Sequence, residues 1–450
     1  MKLFIKNFKL AVVFVFLSLS ITTAFSQSWS ALGGGTGWGD CVAVYNNELY
    51  AGGRYGILKW NGTSWEALGV GVVGEVVCMV VYQNKLIVGG SFSDAGNLQT
   101  PYLAAWDGST WSDLGGTTNS IVQSLTVYGT KLIIGGYFTQ CENLPVNYIV
   151  QYDGNTFSAM GSGMGGSQGQ VMALTTYNGD VYAGGFFSTA GGISAPRLAK
   201  WNGTSWSAVG SGVSGIVYAL GTHNGSLVIG GLFSAAGGVP ANAIALYNGT
   251  NFSALGSGCS GGFYPYVFSV LSANGDLYAG GYYTIAGGLT CNGIAKWNGS
   301  SWSQLGSGFW NGGTNAFGAN GLCIFNNQLI ATGIFSTAGG VGAGNIAAWN
   351  GLLTGISNNQ TAPDKFKLSQ NYPNPFNPST KISFSIPKQE NVNMTVYDAA
   401  GRETAVLVNE HLNAGNHEVS FNASGLASGV YFYRLITNGF TETKSMVLIK

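Results

Sequence analysis

The histidines are the first candidates for chemistry, because imidazole is the commonest side chain to ligate a transition metal. The chain of 450 residues contains three His. Only His223 precedes residue 352, and it stands beside the turn residues Asn224 and Gly225, which predicts an exposed side chain. A copper or zinc centre built from several imidazoles therefore cannot form in this part of the chain. The sequence predicts no metal site and no cofactor.

The carboxylates are the second candidates, as acids, bases or nucleophiles. Residues 27–351 contain eleven Asp and Glu, most of them at turn or outer-strand positions where other copies of a repeat carry Asn, Ser or Gln. Only Asp40, Glu75 and Glu142 are expected on a loop-bearing face, and nothing in the sequence pairs them. A glycosidase needs two carboxyls about 5 Å or about 6.5–9.5 Å apart. We predict no catalytic residue, and a glycoside hydrolase or lyase remains the alternative.

The six cysteines are the third group. Cys41 and Cys78 each stand eight residues before a leucine that opens a repeated "LxxGG" strand. Other copies carry Ser, Ala or Gly there, so we interpret both as small packing residues, with a disulfide between neighbouring strands as the alternative. No pairing can be assigned to the four others, which are Cys141, Cys259, Cys291 and Cys323.

An aromatic-Asn/Asp-Gly tripeptide recurs seven times and sets the architecture that must position these residues. Its aromatics are Trp60, Trp106, Tyr152, Trp201, Tyr247, Trp297 and Trp349, at intervals of 46, 46, 49, 46, 50 and 52 residues. A period of this size indicates a propeller or a solenoid. Each unit reads as four strands, and the Asn-Gly or Asp-Gly between the third and fourth predicts a two-residue type I′ hairpin.

The seventh unit ends at its tripeptide and lacks the "WxxLG" strand that follows the other six. The missing copy stands at residues 28–33, as Ser-Trp-Ser-Ala-Leu-Gly. We expect this N-terminal strand to complete the last sheet, since propellers leave only short, protected edges. The predicted fold class is all-β: a seven-bladed β-propeller over residues 27–351, closed by the N-terminal strand.

The connections that lead from one unit to the next vary and carry unusual aromatic residues. Trp38 lies in the first, Tyr264 and Tyr266 with Phe263 in the sixth, and Trp310 in the seventh. These loops are neighbours once the ring closes. We predict an aromatic patch for a glycan or a surface-protein ligand. The alternative is that the rings pack over the sheet ends.

The N-terminal residues have the composition of an export signal. Lys2, Lys6 and Lys9 precede an apolar stretch at residues 10–21 and small residues before Gln27, which predicts a signal peptide over residues 1–26. No later segment is long and apolar enough for a transmembrane helix.

Charged residues make up 8% of the chain at zero net charge, so no nucleic-acid partner is expected. Residues 352–367 read as a linker, and residues 368–450 as a small Ig-like β-sandwich.

The repeat resembles kelch-like propeller repeats, and more closely those of fungal cortical-marker and related bacterial extracellular propellers. The resemblance covers residues 28–351 and rests on motifs such as "LYAGG" at residues 277–281 and "IAKWNG" at residues 294–299. It is specific for the fold and nearly silent on function, because propellers host many activities.

The C-terminal region resembles the type A sorting domain of type IX secretion substrates. The motifs are "LSQNYPNPFNPST" at residues 368–380, "VYDAAGR" at 396–402, "LASGVYFYRL" at 426–435 and "KSMVLIK" at 444–450. The resemblance implies Sec export, passage across a Gram-negative outer membrane through the type IX machinery, and a secreted or surface-attached product. It implies as sorting-signal residues Asn374, Pro375, Phe376, Gly401, Arg402, Gly429, Tyr431 and Lys444.

Three functions stay open at this stage. The leading one is a secreted or cell-surface, non-catalytic binding or adhesion propeller. The others are a polysaccharide-active enzyme and a purely structural surface module. Binding without turnover would separate the first from the second.

Overall fold

The computed structural model describes residues 27–166, 168–313, 318–353, 365–371, 373–388, 390–412 and 415–449. The predicted signal peptide and most of the predicted linker lie outside this range. The internal contacts divide the chain into two units, with the boundary between Leu352 and Leu353.

The first unit consists of seven four-stranded antiparallel sheets, which we number 1–7 by their first strands. The first strands are Gly39–Tyr45, Val72–Tyr82, Val122–Tyr128, Gln170–Tyr177, Ile216–His223, Tyr266–Ala273 and Ala319–Phe325. The second strands are Glu48–Gly53, Lys85–Ala95, Lys131–Gly136, Asp180–Phe186, Ser226–Leu232, Asp276–Tyr282 and Gln328–Gly333. The third strands are Gly56–Trp60, Leu103–Trp106, Ile149–Tyr152, Leu198–Trp201, Ile244–Tyr247, Ile294–Trp297 and Ile346–Trp349. The fourth strands are Trp65–Ala67, Trp111–Ser112, Phe157–Ala159, Trp206–Ala208, Phe252–Ala254, Trp302–Gln304 and, for sheet 7, Trp29–Ala31.

In sheets 3–7 the loop between the second and third strands contains a hairpin of two short strands. In sheets 4, 6 and 7 this hairpin also pairs with a short strand of the connection that precedes the sheet. These strands are Gln140–Cys141, Leu144–Pro145, Met164–Gly165, Thr189–Ala190, Ile193–Ser194, Ala235–Ala236, Val239–Pro240, Cys259–Ser260, Ile285–Ala286, Leu289–Thr290, Phe309–Trp310, Thr337–Ala338 and Val341–Gly342. Among the described residues the only helix is a 3-10 turn at Asn350–Leu353. The all-β class is as predicted.

The N-terminal strand lies in sheet 7. Trp29 stands opposite Trp349, and Ala31 stands opposite Ala347. The edge left by the missing repeat strand is therefore paired with residues more than 300 positions away in sequence. Sheet 7 also packs against sheet 1, where Leu49 shares a buried cluster with Ile330.

The repeated leucine explains why the sheets pack in series. This residue stands near the start of the second strand in each of the seven sheets. It is Leu in six sheets and Val181 in sheet 4, and all seven side chains are 0% exposed. Burial of such a side chain contributes about 1.5–3 kcal/mol. Each cluster spans two neighbouring sheets, as where Tyr50 of sheet 1 packs with Leu86 of sheet 2. The core is thus a set of interfaces between adjacent repeats.

The hairpin between third and fourth strands differs from the predicted type I′ turn. In sheet 1 the loop has four residues, 61–64, and only Gly62 has a positive φ, of 101°. The Asn61 Oδ1 accepts hydrogen bonds from the backbone N–H groups of Thr63 and Ser64 at 2.9 and 2.8 Å. The asparagine is there because its side chain caps the loop. The two-residue turns with two positive φ angles join first and second strands, as at Asn46 and Asn47.

The second unit consists of two antiparallel sheets that share one apolar core. One sheet contains Lys367–Leu368, Ser379–Ile386 and Gly415–Asn422. The other contains, in spatial order, Glu403–Leu412, Glu390–Tyr397, Gly429–Ile436 and Thr441–Leu448. Alternation of buried and exposed residues along Gly429–Ile436 places Tyr431, Tyr433 and Leu435 in the core.

A search of the described residues for a helix with the length and apolar character of a membrane crossing finds none.

Candidate functional site

Each of the seven first strands carries a β-bulge, and the bulges build one cavity. The register slips past a single residue in every strand, for example between Gly39 and Cys41 and between Val267 and Ser269. A bulge re-aims the side chain of the extra residue. The residues at the slip are Asp40, Val77, Gln123, Met172, Tyr218, Phe268 and Asn320. All seven line a cavity of about 340 Å³ together with Tyr137 and Tyr282, which we call the inner cavity.

The second glycine of the repeated Gly-Gly pair makes the bulge possible, whereas the first is replaced by Thr332 in sheet 7. Gly89 and Gly90 lie opposite Cys78 and Val76, on either side of the bulged Val77. A Cβ on Gly90 would stand 2.0 Å from the carbonyl oxygen of Glu75, so no larger residue fits. The conserved spacing within the repeat thus fixes where the cavity-lining residue falls, nine positions before the "LxxGG" leucine.

Asp40 and Asn320 form the polar side of the inner cavity. The Asn320 side-chain amide donates hydrogen bonds to the Asp40 Oδ1 at 3.2 Å and to the Gly39 carbonyl at 3.3 Å. Burial, followed by the nearby charge of Glu75, raises the pKa of Asp40 from 3.8 to about 7. Asp40 Oδ2 is buried without a hydrogen-bond partner among the described residues. Asp40 is therefore a carboxyl that holds its proton up to neutral pH.

The pairing of Asp40 with Glu75 corrects the sequence analysis, in which no partner could be named for either. The two come from adjacent first strands, Asp40 at the bulge of sheet 1 and Glu75 two residues before the bulged Val77 of sheet 2. Glu142 does not join them, because its Oε1 accepts a hydrogen bond from the Thr117 backbone N–H at 2.9 Å. Two adjacent carboxyls favour sharing one proton. The described residues contain no cluster of three or more His, Cys, Asp and Glu that could hold a metal ion.

The raised pKa of Asp40 predicts an unusual pH dependence of stability. A carboxyl whose folded pKa exceeds its unfolded pKa stabilises the fold fully below pH 3.8, and this contribution is lost as the pH rises to about 7. Asp40→Asn removes the titration. We expect the free energy of unfolding of the wild type to fall relative to Asp40→Asn by roughly 1–4 kcal/mol between pH 4 and pH 8. Urea denaturation across this range measures it.

Glu66→Gln is the matched control, because Glu66 is an exposed carboxylate of the same unit. Its pH dependence is the reference against which that of Asp40→Asn is compared. A difference between wild type and Asp40→Asn that does not change with pH would show that Asp40 titrates as in the unfolded chain. The other titratable groups near Asp40 are Glu75, Cys41 and Tyr282, and all are retained in both variants.

A series of aromatic rings leads from the surface into the inner cavity. Phe263 contacts Tyr264 with ring centroids 4.7 Å apart, and Tyr264 lies 6.0 Å from Tyr266. Tyr266 stacks on Phe268 at 5.2 Å, and Phe268 meets Tyr282 at 4.8 Å. Phe263 is 83% exposed, whereas Phe268 and Tyr282 line the cavity. These five rings, which we call the aromatic series, form a continuous apolar path.

The predicted aromatic patch is brought together only in part. Tyr264 and Tyr266 belong to the aromatic series. Trp38 is 47% exposed and lies under the Arg54 guanidinium, 4.9 Å from its ring centroid. Trp310 is 58% exposed on a short strand, and the Trp310 carbonyl accepts hydrogen bonds from the Ser336 N–H and hydroxyl. Residues 314–317 of the Trp310 loop lie outside the described residues.

His223 is buried at 4% exposure, which contradicts the predicted exposed side chain. Its Nδ1 lies 2.8 Å from the Ser272 hydroxyl of the next sheet, and burial lowers its pKa. Tyr45 and Tyr177 occupy the same strand end in their sheets, and each hydroxyl donates to a turn carbonyl of the following sheet. The position in the repeat, more than the adjacent turn, decides its burial.

All six cysteines are free thiols in the structure. Cys41 and Cys78 lie one residue after the bulge, and their Sγ atoms donate to the Val76 and Val122 carbonyls of the next sheet at 3.5 and 3.8 Å. Ser269 makes the same contact to Ala319 at 3.1 Å. The slot therefore holds a small side chain that bonds across to the next sheet, in keeping with the packing interpretation.

In the second unit, the "NPF" residues fasten the chain to the final strand. The Asn374 Oδ1 accepts a hydrogen bond from the Val447 N–H at 2.9 Å, and the Phe376 N–H donates to the Val447 carbonyl at 2.9 Å. The peptide bond between Asn374 and Pro375 is cis. Phe376 is 2% exposed in the core. These residues hold the end of the chain in place.

Gly401 and Arg402 complete a tight turn at the surface. The Asp398 Oδ1 accepts hydrogen bonds from the N–H groups of Ala400 and Arg402 at 2.9 Å, and Gly401 has a φ of 78°. The Arg402 guanidinium pairs with Asp398 at 2.8 Å, yet its side chain is 82% exposed. Arg402 thus presents its charge to solvent from a fixed turn.

The remaining motif residues belong to the last two strands. The Tyr431 hydroxyl donates to the Ala427 carbonyl at 2.8 Å, and its ring is 7% exposed. Gly429 stands opposite Leu448 in the sheet. Lys444 pairs with Glu442 at 3.1 Å.

Comparisons with known proteins agree with this division of the chain. Residues 370–450 match the family model of the secretion system C-terminal sorting domain. Residues 223–250 match a β-propeller domain of unknown function, DUF5122. No curated protein matches the chain.

One similar solved structure is PorZ, described as an essential bacterial surface component of the type IX secretion system of Porphyromonas gingivalis. The identity is 14% and the TM-score 0.37, over 90% of this chain and 64% of PorZ. The chain thus spans less than two thirds of that protein, and a likeness at this TM-score says nothing further about function. The described residues are all-β, with a match to a β-propeller domain in the first unit and a match to the secretion system C-terminal sorting domain over residues 370–450.

Proposed function

We propose that this type IX secretion substrate is a non-catalytic binding protein at the Gram-negative cell surface or in the medium. The sorting domain is the basis for the location. The predicted signal peptide over residues 1–26 supplies the first export step. Residues 27–351 act as the binding part, residues 352–367 as the linker and residues 368–450 as an Ig-like sorting domain addressed to the type IX machinery.

The binding part is, in this proposal, a seven-bladed kelch-like propeller closed by its N-terminal strand. Three observations support the closure. Trp29 stands opposite Trp349, Leu49 of sheet 1 packs in a cluster with Ile330 of sheet 7, and the Asn320 amide donates to Asp40 across the same junction. A closed ring keeps the loops rigid, and variable loops on a rigid scaffold are suited to binding.

The aromatic series is the observation that carries the binding role. Phe263 and Tyr264 are 83% and 54% exposed, and they continue the ring contacts of Tyr266 and Phe268 out to the surface. Exposed rings with few charges nearby suit stacking on a sugar or anchoring a protein partner. We include Trp38 and Trp310 in the ligand-binding surface as separate contact points.

The experiment is binding of the purified mature protein to a glycan array and to bacterial or host surfaces, with polysaccharide turnover measured in parallel. The triple variant Trp38→Ala, Tyr264→Ala, Trp310→Ala is expected to lose binding by tenfold or more, since interface aromatics carry most binding energy. The control is Val70→Ala, Leu98→Ala, Ile193→Ala, which removes exposed apolar side chains from loops of sheets 2 and 4. Equal binding by both variants would contradict the proposal.

A polysaccharide-active enzyme is the second candidate, favoured by one observation. Asp40 and Glu75 are adjacent, and Asp40 has a pKa near 7, as a general acid requires. Product release from a polysaccharide panel, lost in Glu75→Gln, would establish the enzyme instead.

A further inference from the structure

The inner cavity has the size and shape of a ligand site that the repeat itself does not need. Its volume of about 340 Å³ lies within the range of roughly 300–1,000 Å³ for small-molecule sites. The bulge position tolerates Val77 and Met172, so a core-forming repeat could have filled all seven positions with apolar side chains. Instead, the seven residues at this position differ in size and polarity.

The lining is divided into an aromatic side and a polar side. Tyr218, Phe268 and Tyr282 come from sheets 5 and 6, and the Tyr218 and Phe268 rings lie 4.9 Å apart. Asp40 and Asn320 come from sheets 1 and 7 and are joined by a hydrogen bond of 3.2 Å. Apolar walls with a few convergent polar groups are typical of small-molecule sites.

The polar side favours a ligand that both donates and accepts hydrogen bonds. The buried Asp40 Oδ2 and Asn320 Oδ1 have no partner among the described residues. The protonated Asp40 carboxyl can donate from Oδ2 to a ligand, and Asn320 Oδ1 can accept from one. No Lys, Arg or His is among the described residues that line the cavity, which disfavours a phosphate, sulfate or carboxylate ligand. Hydroxyl groups meet these requirements, and the C–H face of a sugar ring stacks on Tyr and Phe.

We propose that the inner cavity binds a neutral saccharide unit, with its apolar face on Tyr218 and Phe268 and its hydroxyls on Asp40 and Asn320. This inference rests on the proposed binding function and adds to it a site and a ligand class. The aromatic series then guides the rest of a glycan chain: Tyr266 connects the exposed Tyr264 with the cavity residue Phe268. The terminal sugar enters the cavity, and the following units lie along the series.

The test is saturation-transfer NMR of the purified protein with a panel of neutral monosaccharides and linear oligosaccharides, and with choline and inorganic phosphate as charged probes. At least one neutral saccharide is expected to bind. Phe268→Leu and Tyr218→Leu keep apolar volume but remove the ring, and each should weaken binding about three- to tenfold. Asp40→Asn should weaken it by a similar factor. Phe432→Leu, in the second unit, is the control and should change nothing.

Two results would overturn the inference: binding of charged probes but of no neutral saccharide, or saccharide binding that survives both ring replacements. Thermal unfolding of each variant separates lost binding from lost folding. The glycan array distinguishes this inference from the proposed function. If array binding depends on Trp38, Tyr264 and Trp310 but not on Phe268 and Tyr218, the proposed function stands and the cavity site falls.

Discussion

Trp29→Ala is expected to destabilise the first unit by about 3–5 kcal/mol, the usual cost of removing a buried Trp. Trp29 is 4% exposed, and its indole N–H donates to the Leu305 carbonyl at 2.9 Å. The ring packs against Phe309 and Trp349 at centroid distances of 4.8 and 5.3 Å. All three contacts lie more than 270 residues away in sequence, so the loss of stability reports on the pairing of the first and last strands of the first unit.

The matched control is Trp206→Ala, at the same position in sheet 4. Trp206 is 7% exposed, its indole donates to the Met160 carbonyl at 2.7 Å, and its ring lies 5.3 Å from Trp201. The two losses should agree within about 1 kcal/mol in thermal or urea unfolding if sheet 7 is built like sheet 4. A loss below about 1 kcal/mol for Trp29→Ala alone would show that the N-terminal strand does not belong to the last sheet.

The sheets could be predicted from the sequence because each repeat states the same pattern. The tripeptide aromatics mark the third strands, the "LxxGG" leucines mark the second, and the one missing outer strand pointed to residues 28–33. Local hydrogen bonding was harder to predict. The Asn61 side chain accepts hydrogen bonds from the loop backbone, and the rule for two-residue hairpin turns considers only the backbone φ angles. His223 was mispredicted for a similar reason, since its burial follows from the strand end shared with Tyr45.

The inner cavity could not be predicted because a β-bulge breaks the two-residue alternation from which burial is inferred. The small residue at Cys41 and Cys78 was recognised as a special position, but the cavity-lining residue is the one before it. That position carries Asp, Val, Gln, Met, Tyr, Phe and Asn, which share no property. Asp40 and Glu75 are 35 residues apart in sequence and interact because they lie on neighbouring first strands.

Removal of residues 353–450 is expected to abolish arrival at the cell surface. The contacts of the chain divide between Leu352 and Leu353, so the first unit keeps its own sheets when the second is removed. The product should therefore fold and remain in the periplasm. Fractionation and protease accessibility on intact cells measure this, and surface exposure of the truncated chain would contradict a sorting role for the second unit.

Arg402→Gln separates recognition of the sorting domain from its folding. The Arg402 guanidinium is 82% exposed, so solvent screens its ion pair with Asp398 and the domain stays folded without it. Phe376→Ala, by contrast, leaves a cavity in the core and is expected to lower the free energy of unfolding by about 3–5 kcal/mol, so that export fails because the domain unfolds. Arg434→Gln is the control, since Arg434 is also exposed and lies over the Tyr397 ring. Loss of surface delivery in Arg402→Gln, with an unchanged melting temperature and normal delivery of Arg434→Gln, would place the turn at residues 398–402 in the contact with the secretion machinery. Normal delivery of Arg402→Gln would leave the folded domain as the signal without this turn.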